Sequence, residues 1–150
     1  MAIIVQVLNL GETRLESIPD WLFERNGKSL RFLDLHGNHL MQVPRALQKA
    51  VTLVSLNLDG NPIRALDATS FVGLGNLIQL DVSNLDSLQL IDTKTFTPLR
   101  NLKYIDCSDN HQLKNIHPDA FHNVTTLALV RTECNCSTSM FNIGLSIIDW

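Results

Sequence analysis

The sequence predicts an α/β repeat solenoid in which a parallel β-sheet lines the concave side and mostly irregular chain forms the convex side. Two observations lead to this fold class. One pattern of spaced leucines recurs six times along the 150 residues, and phenylalanine recurs at a fixed distance behind that pattern. A single repeat of this length cannot bury its own hydrophobic face, so neighbouring repeats must stack and share a continuous core.

The leucine pattern is clearest between Leu30 and Val43, where the spacing is LxxLxLxxNxLxxV, and it recurs from Leu53 to Leu66. The repeats that start at Leu77 and Leu102 carry one extra residue. The second leucine position recurs in steps of 25, 23, 24, 25 and 25 residues, at Leu8, Leu33, Leu56, Leu80, Ile105 and Val130. These steps lie within the window of about 20–29 residues that is typical of leucine-rich repeats.

Phenylalanine follows the last apolar position of four repeats by five residues, at Phe23, Phe71, Phe96 and Phe121. This fixed offset predicts an aromatic spine on the convex side, with neighbouring rings in edge-to-face contact. The second repeat has Leu47 instead, one residue early, which predicts a shorter and tighter turn there.

Each LxL core, such as Leu33-Asp34-Leu35, alternates apolar and polar residues and therefore predicts a half-buried strand. Side by side, these strands predict a leucine-rich repeat horseshoe with five or six strands. We expect one domain over residues 1–150, with repeats at about 5–29, 30–52, 53–76, 77–101, 102–126 and 127–150. The last of these is either a partial repeat or a truncated C-terminal cap.

Asparagine recurs where the chain leaves each strand, at Asn38, Asn61 and Asn110. Backbone groups lose their ladder partners at such a turn, and a buried asparagine amide can satisfy them because it both donates and accepts. We therefore expect a structural asparagine ladder. Thr13 and Leu85 occupy the same position in two repeats, and Asn84, one residue before Leu85, is an alternative donor through a local bulge.

Composition excludes several classes of function. The chain is 45% hydrophobic and 18% charged, which is typical of a globular protein. A net charge of −3 provides no general basic field, so we expect no nucleic-acid partner. No apolar run approaches the roughly 20 residues that span a bilayer. Residues 1–10 lack a basic leader and a cleavage site, so no signal peptide is expected. Three cysteines are too few for a disulfide framework.

The sequence carries no convincing catalytic or metal-binding motif. His36 and His39 form an HxxH pair without a glutamate or a further ligand at metal spacing. Gly73 and Gly75 lie in a convex segment rather than in a phosphate-binding loop between a strand and a helix. No cysteine or serine lies in a recognised nucleophile motif. We therefore expect a protein that is not an enzyme and that uses no cofactor or metal.

The template assigns three rows of outward side chains to the concave sheet. The carboxylate row lies between the paired leucines and holds Asn9, Asp34, Asn57, Asp81, Asp106 and Arg131. The outer row comes next and holds Gly11, His36, Asp59, Ser83, Ser108 and Glu133. The aromatic row precedes the carboxylate row and holds Val7, Phe32, Ser55, Gln79, Tyr104 and Leu129.

The candidate ligand-binding residues are the polar and aromatic members of these rows: Phe32, Asp34, His36, Asn57, Asp59, Gln79, Asp81, Tyr104, Asp106 and Arg131. Strands about 4.8 Å apart would place the like charges of Asp81 and Asp106 side by side. Apart from Arg131, no internal basic residue is expected to neutralise this acidic floor. The floor suits a basic protein partner, although aspartate also occurs on such strands simply for solubility.

The pattern LxxLxLxxNxLxx(I/L) followed by xxxxF resembles the extracellular "typical" leucine-rich repeats of Toll-type receptors, Slit-like guidance proteins and chaoptin-like adhesion proteins. The resemblance extends from Val5 to about Cys136 and implies binding of proteins or glycans at the concave sheet. The family's N-terminal cysteine cap is missing. The segment 134–136, Cys-Asn-Cys, looks like the start of a C-terminal cap, or else Asn135 fills the ladder position of a sixth repeat. Cys107 is expected to be a buried thiol.

Two glycosylation sequons begin at Asn123 and Asn135. Asn123 follows Phe121 on the outside of the solenoid, where a glycan fits, whereas Asn135 is crowded. We therefore predict an extracellular or cell-surface recognition or adhesion module. The alternatives are an intracellular leucine-rich repeat scaffold with reduced thiols and a ligand-binding fragment of a larger receptor. The sequence leaves the oligomeric state open.

Overall fold

The computed structural model describes residues 4–131 and 147–148, and it shows successive turns of the chain stacked into a solenoid. One parallel sheet runs through the stack and is called the concave sheet below. Its seven strands lie side by side in chain order: β1 (Val7–Asn9), β2 (Phe32–Asp34), β3 (Ser55–Asn57), β5 (Gln79–Asp81), β7 (Tyr104–Asp106), β9 (Leu129–Arg131) and β10 (Ile147–Ile148). The predicted solenoid is therefore confirmed, with one strand more than expected because β10 pairs with β9.

The second leucine of each repeat lies in one continuous row across the concave sheet. The register pairs Leu8 with Leu33, and the row continues through Leu56, Leu80, Ile105 and Val130. From Leu33 onward each of these side chains is at most 2% exposed, whereas Leu8 on β1 is half-buried. Burying one such side chain stabilises the fold by roughly 1.5–3 kcal/mol, so this row is a main component of the core.

The convex side contains a second parallel sheet that the sequence did not predict. It consists of β4 (Ala65–Leu66), β6 (Leu90–Ile91) and β8 (Asn115–Ile116). The second residue of each strand is buried against the core. The two preceding repeats have short helices instead: α1 (Leu22–Asn26) and a 3-10 helix, η1 (Arg45–Lys49), which forms the tighter turn expected near Leu47.

The phenylalanine spine is present, but its rings are stacked rather than edge-to-face as predicted. Phe71 and Phe96 have centroids 5.7 Å apart and planes inclined by 19°. Phe96 and Phe121 are 4.5 Å apart and inclined by 24°. Successive repeats are related by a small translation, and equivalent rings therefore keep nearly the same orientation. Phe96 is fully buried between its two neighbours.

Three buried asparagines link consecutive repeats at the end of the strands where the chain leaves the concave sheet. The Asn61 amide donates to the carbonyls of Leu35 and Leu58, both at 2.9 Å, and its oxygen accepts the amide of Leu40 at 3.1 Å. Asn38 and Asn110 make the equivalent contacts in their repeats. Each side chain thus satisfies backbone groups of two repeats at once.

The suggestion that Asn84 replaces the missing ladder residue is wrong. Its side chain donates to Asp59 Oδ1 at 2.8 Å, and the ladder position itself is filled by the fully buried Leu85. Asn84 lies one residue earlier, where the exit turns of the first five strands of the concave sheet have a left-handed residue. The residues at this turn position have φ between 49° and 65° and are Glu12, Gly37, Gly60, Asn84 and Asp109.

A second polar ladder runs along the opposite edge of the concave sheet, where the strands begin, and is called the entry ladder below. Its members each donate to a backbone carbonyl of the preceding repeat and are Ser29, Thr52, Asn76, Asn101 and Thr126. The donor–acceptor distances lie between 2.8 and 3.2 Å. The sequence signal for this ladder is a small polar residue directly before the first leucine of each repeat after the first.

The predictions for Glu133 and for the segment 134–136 concern residues outside the described part of the chain. Cys107 lies within it, and its side chain is buried, with 3% exposure. Among the described residues, no helix is long and apolar enough to cross a membrane.

Candidate binding surface on the concave sheet

The register of the concave sheet aligns the three outward rows that the sequence template defines. Asp34, Asn57 and Asp81 lie on successive strands, followed by Asp106 and Arg131. The aromatic row is aligned in the same way and exposes Phe32 at 49% and Tyr104 at 46%. Glu133 is the one position of the outer row that lies outside the described residues.

Residues of the carboxylate row have a structural role that the sequence analysis missed. Each accepts, through its side-chain Oδ1, the backbone N–H two residues further on, with distances of 2.8 to 3.1 Å: Asn9, Asp34, Asn57, Asp81 and Asp106. This local bond satisfies an amide where the strand ends and the exit turn begins. This local role could have been predicted from the sequence, because five residues at one template position are asparagine or aspartate.

Two carboxylates of the face are paired with basic side chains of the chain itself. Arg131 is the one basic residue that the sequence placed in the carboxylate row, and its Nη1 lies 3.3 Å from Asp106 Oδ2. His36 Nδ1 lies 2.9 Å from Asp34 Oδ1, so Asp34 has a basic neighbour that the sequence analysis did not predict and that neutralises it when the imidazole is protonated. Within the described residues, no Lys, Arg or His nitrogen lies within 4.0 Å of Asp59 or Asp81. Asp59 instead accepts a hydrogen bond from Ser83 at 3.0 Å.

Asp81 is the carboxylate that the face perturbs most clearly. Burial raises its pKa above the ordinary value of 3.8, hydrogen bonds from Ser83 oppose that rise, and the charges of Asp106 and Asp59 add to it. The ionised form of Asp81 is therefore less stable than that of an aspartate in water. A cation placed beside it would restore the lost stabilisation.

A shallow cavity of about 330 Å³ opens on the concave sheet beside Asp81. It spans β5, β7 and β9, and its lining combines two carboxylates with an aromatic ring, aliphatic side chains and one guanidinium: Gln79, Leu80, Asp81, Tyr104, Ile105, Asp106, Leu129 and Arg131. Five predicted ligand-binding residues meet at this cavity. The other five do not line the cavity: Phe32, Asp34 and His36 lie at β2, and Asn57 and Asp59 lie on and just after β3, between β2 and the cavity.

His36 lies outside the cavity and links the first two repeats. Its ring packs directly over Gly11, which leaves no room for a Cβ there, and its Nε2 lies 3.6 Å from Glu12 Oε1. The hydrogen bond to Asp34 raises the pKa of His36 above 6.5, desolvation opposes this rise, and the charges of Asp34 and Glu12 support it. The protonated imidazole is therefore stabilised between two carboxylates of neighbouring repeats.

We expect this site to make the stability of the first two repeats depend on pH. The pKa of His36 is raised in the folded state. The contribution of His36 to stability is therefore fully present below pH 6.5 and is lost as pH rises through the raised pKa of the folded protein. His36→Gln should abolish the part of the change in melting temperature between about pH 5 and 8 that comes from this group. Thermal unfolding of both proteins across that range checks this. Identical pH profiles would show that the two carboxylates do not stabilise the imidazolium.

The family model described as "Leucine rich repeat" matches residues 4–63 and 51–111. The chain belongs to the leucine-rich repeat family. The matched segments contain the first five strands of the concave sheet, from β1 to β7. In the described residues, no group of three or more His, Cys, Asp or Glu side chains could hold a metal ion.

Two related proteins show how far the similarity extends along the chain. Chaoptin of Drosophila melanogaster is 37% identical over 108 residues, which are 65% of this chain and 8% of Chaoptin. Tsukushi of Gallus gallus is 30% identical over 104 residues, covering 69% of this chain and 28% of Tsukushi. The chain therefore spans less than a third of the length of these relatives.

Solved structures confirm the resemblance to Toll-type repeats. In the glycosylated form of the Drosophila Toll–Spatzle complex, one chain matches 87% of this chain with a TM-score of 0.77 and 28% identity, over 17% of its own length. A chain of a TLR13–ssRNA13 complex matches 85% of this chain with a TM-score of 0.63 and 28% identity, over 16% of its length. Because this second neighbour is in complex with RNA, the comparison gives no support to the predicted exclusion of nucleic acid.

Proposed function

We propose that this repeat domain is a protein-binding recognition or adhesion module whose binding surface is the concave sheet. The observation that carries the proposal is the cavity over β5, β7 and β9, where charged and aromatic side chains face solvent together. Concave, partly apolar sites with a few convergent polar groups are the usual form of a ligand site. The described residues offer no arrangement suited to catalysis, and we propose a non-enzymatic role.

Asp81 and Tyr104 define the chemistry of the ligand. Asp81 has no cationic partner among the described residues, and burial raises its pKa. A lysine or arginine side chain could pair with the carboxylate while its aliphatic part packs on the Tyr104 ring. Arg131 already holds Asp106 at 3.3 Å, so a ligand cation would be bound mainly by Asp81. The preferred partner is a protein segment that combines a cation with apolar side chains.

A protein ligand fits this face better than a nucleic acid does. Phosphate groups would approach Asp59, Asp81 and Asp106 and be repelled by them, whereas a basic protein surface would be attracted. The Toll–Spatzle complex, in which a related fold is bound to Spatzle, supports a protein ligand by analogy. The fold allows both kinds of ligand, and the acidic side chains of this chain favour the protein ligand that we propose.

The test uses peptides selected from a displayed library against the 150-residue chain. We expect lysine- or arginine-containing peptides to be enriched and their association to slow as salt increases, because screening acts over about 8 Å at physiological ionic strength. Asp81→Asn should slow association several-fold, and adding Asp106→Asn should slow it further. The matched control is Asp20→Asn with Asp119→Asn, which removes two exposed carboxylates from the convex side. Equal losses in both double variants would reject the concave surface.

Phe32 provides a separate test at the other end of the sheet. Its ring is 49% exposed beside Val7, which is 65% exposed. If a partner covers the whole concave sheet, this apolar pair is a desolvated anchor. Phe32→Ala should then mainly accelerate dissociation, measured by surface plasmon resonance. Unchanged dissociation would confine the binding surface to the cavity over β5, β7 and β9.

We further propose that the domain is exposed to the extracellular space, and Asn123 provides the test. Its side chain is exposed on the convex side at the turn after Phe121, with φ of 62°. Secreted from eukaryotic cells behind an added leader, the chain should carry a glycan at Asn123 that Thr125→Ala removes, as mass spectrometry would show. The concave sheet would stay open. A completely unmodified Asn123 would favour the alternative of an intracellular scaffold, and a binding fragment of a larger receptor is compatible with glycosylation.

A further inference from the structure

The edge of the concave sheet where the strands begin carries basic side chains, whereas the face of the sheet carries carboxylates. Residues directly before the strands form one hydrogen-bonded series along this edge: the amide of Val54 donates to Arg31, that of Ile78 to Val54, and that of Lys103 to Ile78. The four-residue segments that end in these residues are Lys-Ser-Leu-Arg at 28–31, Val-Thr-Leu-Val at 51–54, Gly-Asn-Leu-Ile at 75–78 and Arg-Asn-Leu-Lys at 100–103.

These segments place two cations at each end of an apolar centre. Lys28, Arg31, Arg100 and Lys103 are called the basic rim below, and the segments contain no acidic residue. Val54 and Ile78, between the cationic pairs, are half-buried, and Val51 is 41% exposed. Three strand spacings separate Arg31 from Lys103, which is about 14 Å.

In the part of the chain that the structure describes, the basic rim forms no ion pair. No carboxylate of the described residues lies within 4.0 Å of any of its four cations. Among the lysines and arginines of the described residues, only Lys49, with Glu24 at 2.8 Å, and Arg131, with Asp106 at 3.3 Å, are ion-paired. The rim cations are therefore available to a partner without first breaking an ion pair.

The backbone beneath the rim is held in place by the entry ladder. Thr52 bonds the carbonyl of Gly27, Asn76 that of Val51, and Asn101 that of Gly75. A groove of about 470 Å³ lies on this surface, lined by Arg31, Thr52, Val54, Asn76, Ile78, Asn101, Lys103 and Thr126. A surface fixed in this way loses little conformational entropy on binding.

We propose that the basic rim and its groove bind an extended acidic segment of a protein partner, with apolar side chains between two groups of carboxylates. Carboxylates at the two ends would pair with Lys28 and Arg31 and with Arg100 and Lys103. About four extended residues cover the 14 Å between these pairs, at about 3.3 Å per residue. Apolar side chains in that interval would pack on Val54 and Ile78.

The apolar centre favours a peptide over a uniform polyanion. A sulfated polysaccharide or an oligonucleotide carries charge along its whole length. It would place anionic groups over Val54 and Ile78, where the basic rim has no cation to pair with them. A peptide can alternate carboxylates with apolar side chains to match the groove. This surface is separate from the carboxylates of the concave sheet, so the proposal does not rest on the function proposed above.

The experiment measures binding of the fluorescent peptide Glu-Glu-Leu-Val-Leu-Glu-Glu to the 150-residue chain by fluorescence anisotropy. Arg31→Gln with Lys103→Gln should weaken binding about tenfold, because two exposed charge pairs together contribute roughly 1.4 kcal/mol. Val54→Thr with Ile78→Thr should weaken it as well, and so should replacing the three central peptide residues by Gly-Ser-Gly. The matched control, Arg64→Gln with Lys114→Gln, removes two exposed cations from the convex side and should change nothing.

Asp81→Asn with Asp106→Asn should not weaken peptide binding, which separates this test from that of the concave sheet. The proposal is overturned if the convex control weakens binding as much as the rim variant does. It is also overturned if the Gly-Ser-Gly peptide binds equally well, or if a sulfated oligosaccharide or oligonucleotide of equal charge binds the rim more tightly. The last result would identify a polyanion surface instead. Circular dichroism of each variant verifies that the solenoid is intact.

Discussion

Replacing Phe96 by alanine is expected to lower the free energy of unfolding by about 3–5 kcal/mol. Phe96 is fully buried in the middle of the aromatic spine, with ring centroids 5.7 Å from Phe71 and 4.5 Å from Phe121. The substitution removes the ring and both stacking contacts, and neighbouring repeats can collapse into the space only partly. Urea unfolding followed by circular dichroism measures the change.

Phe96→Leu is the matched control for this prediction. It keeps an apolar side chain in the same position. Apart from the lost ring stacking, Phe96→Leu should lower the free energy of unfolding by less than about 1.5 kcal/mol. A second comparison is Phe121→Ala, at a ring that is 7% exposed, where the loss should be smaller than at Phe96. A loss below about 1 kcal/mol for Phe96→Ala would show that the spine does not hold the repeats together.

Asn61→Leu should lower the free energy of unfolding by about 3 kcal/mol, since a buried polar group that loses its partner costs about 1–3 kcal/mol. Three backbone groups lose their partners: the carbonyls of Leu35 and Leu58 and the amide of Leu40. Leucine matches the volume of the slot but supplies neither donor nor acceptor.

The control is Asn101→Ala in the entry ladder, which removes a single exposed hydrogen bond of 2.9 Å to Gly75 and should cost under about 1 kcal/mol. Both variants are compared by their urea midpoints. If Asn61→Leu unfolds at the wild-type midpoint with the wild-type slope, the buried asparagine is not required for the exit turn.

The repeat period predicted the fold because it constrains several levels of structure together. Leu33, Leu56 and Leu80 recur with the strand, so their spacing sets both the register and the buried row. The orientation of the phenylalanine rings could not be predicted in the same way. Edge-to-face contact is favourable for isolated pairs, but stacking of equivalent repeats imposes nearly parallel rings on Phe71 and Phe96.

The candidate site was less predictable because its side chains also serve the local backbone. The template placed Asp34 and Asp106 on one face, but it could not show that His36 and Arg131 turn toward them. Those pairings depend on rotamers and on the exit turns, and neither leaves a periodic signal. Asn84 was misassigned for the same reason, because sequence spacing does not reveal that its position has a left-handed backbone.

The central claim, that the concave sheet is the recognition surface, can be tested by covering it with a glycan. Asp59→Thr creates an Asn-Leu-Thr sequon that begins at Asn57 in the middle of the concave sheet, and secretion from eukaryotic cells then attaches a glycan to Asn57. Basic peptides selected on the wild-type chain should no longer bind this glycoprotein and should bind again after enzymatic deglycosylation. They should bind normally to wild-type protein secreted from the same cells, for which we predict a glycan on the convex Asn123. Undiminished binding of those peptides to the chain glycosylated at Asn57 would contradict the account.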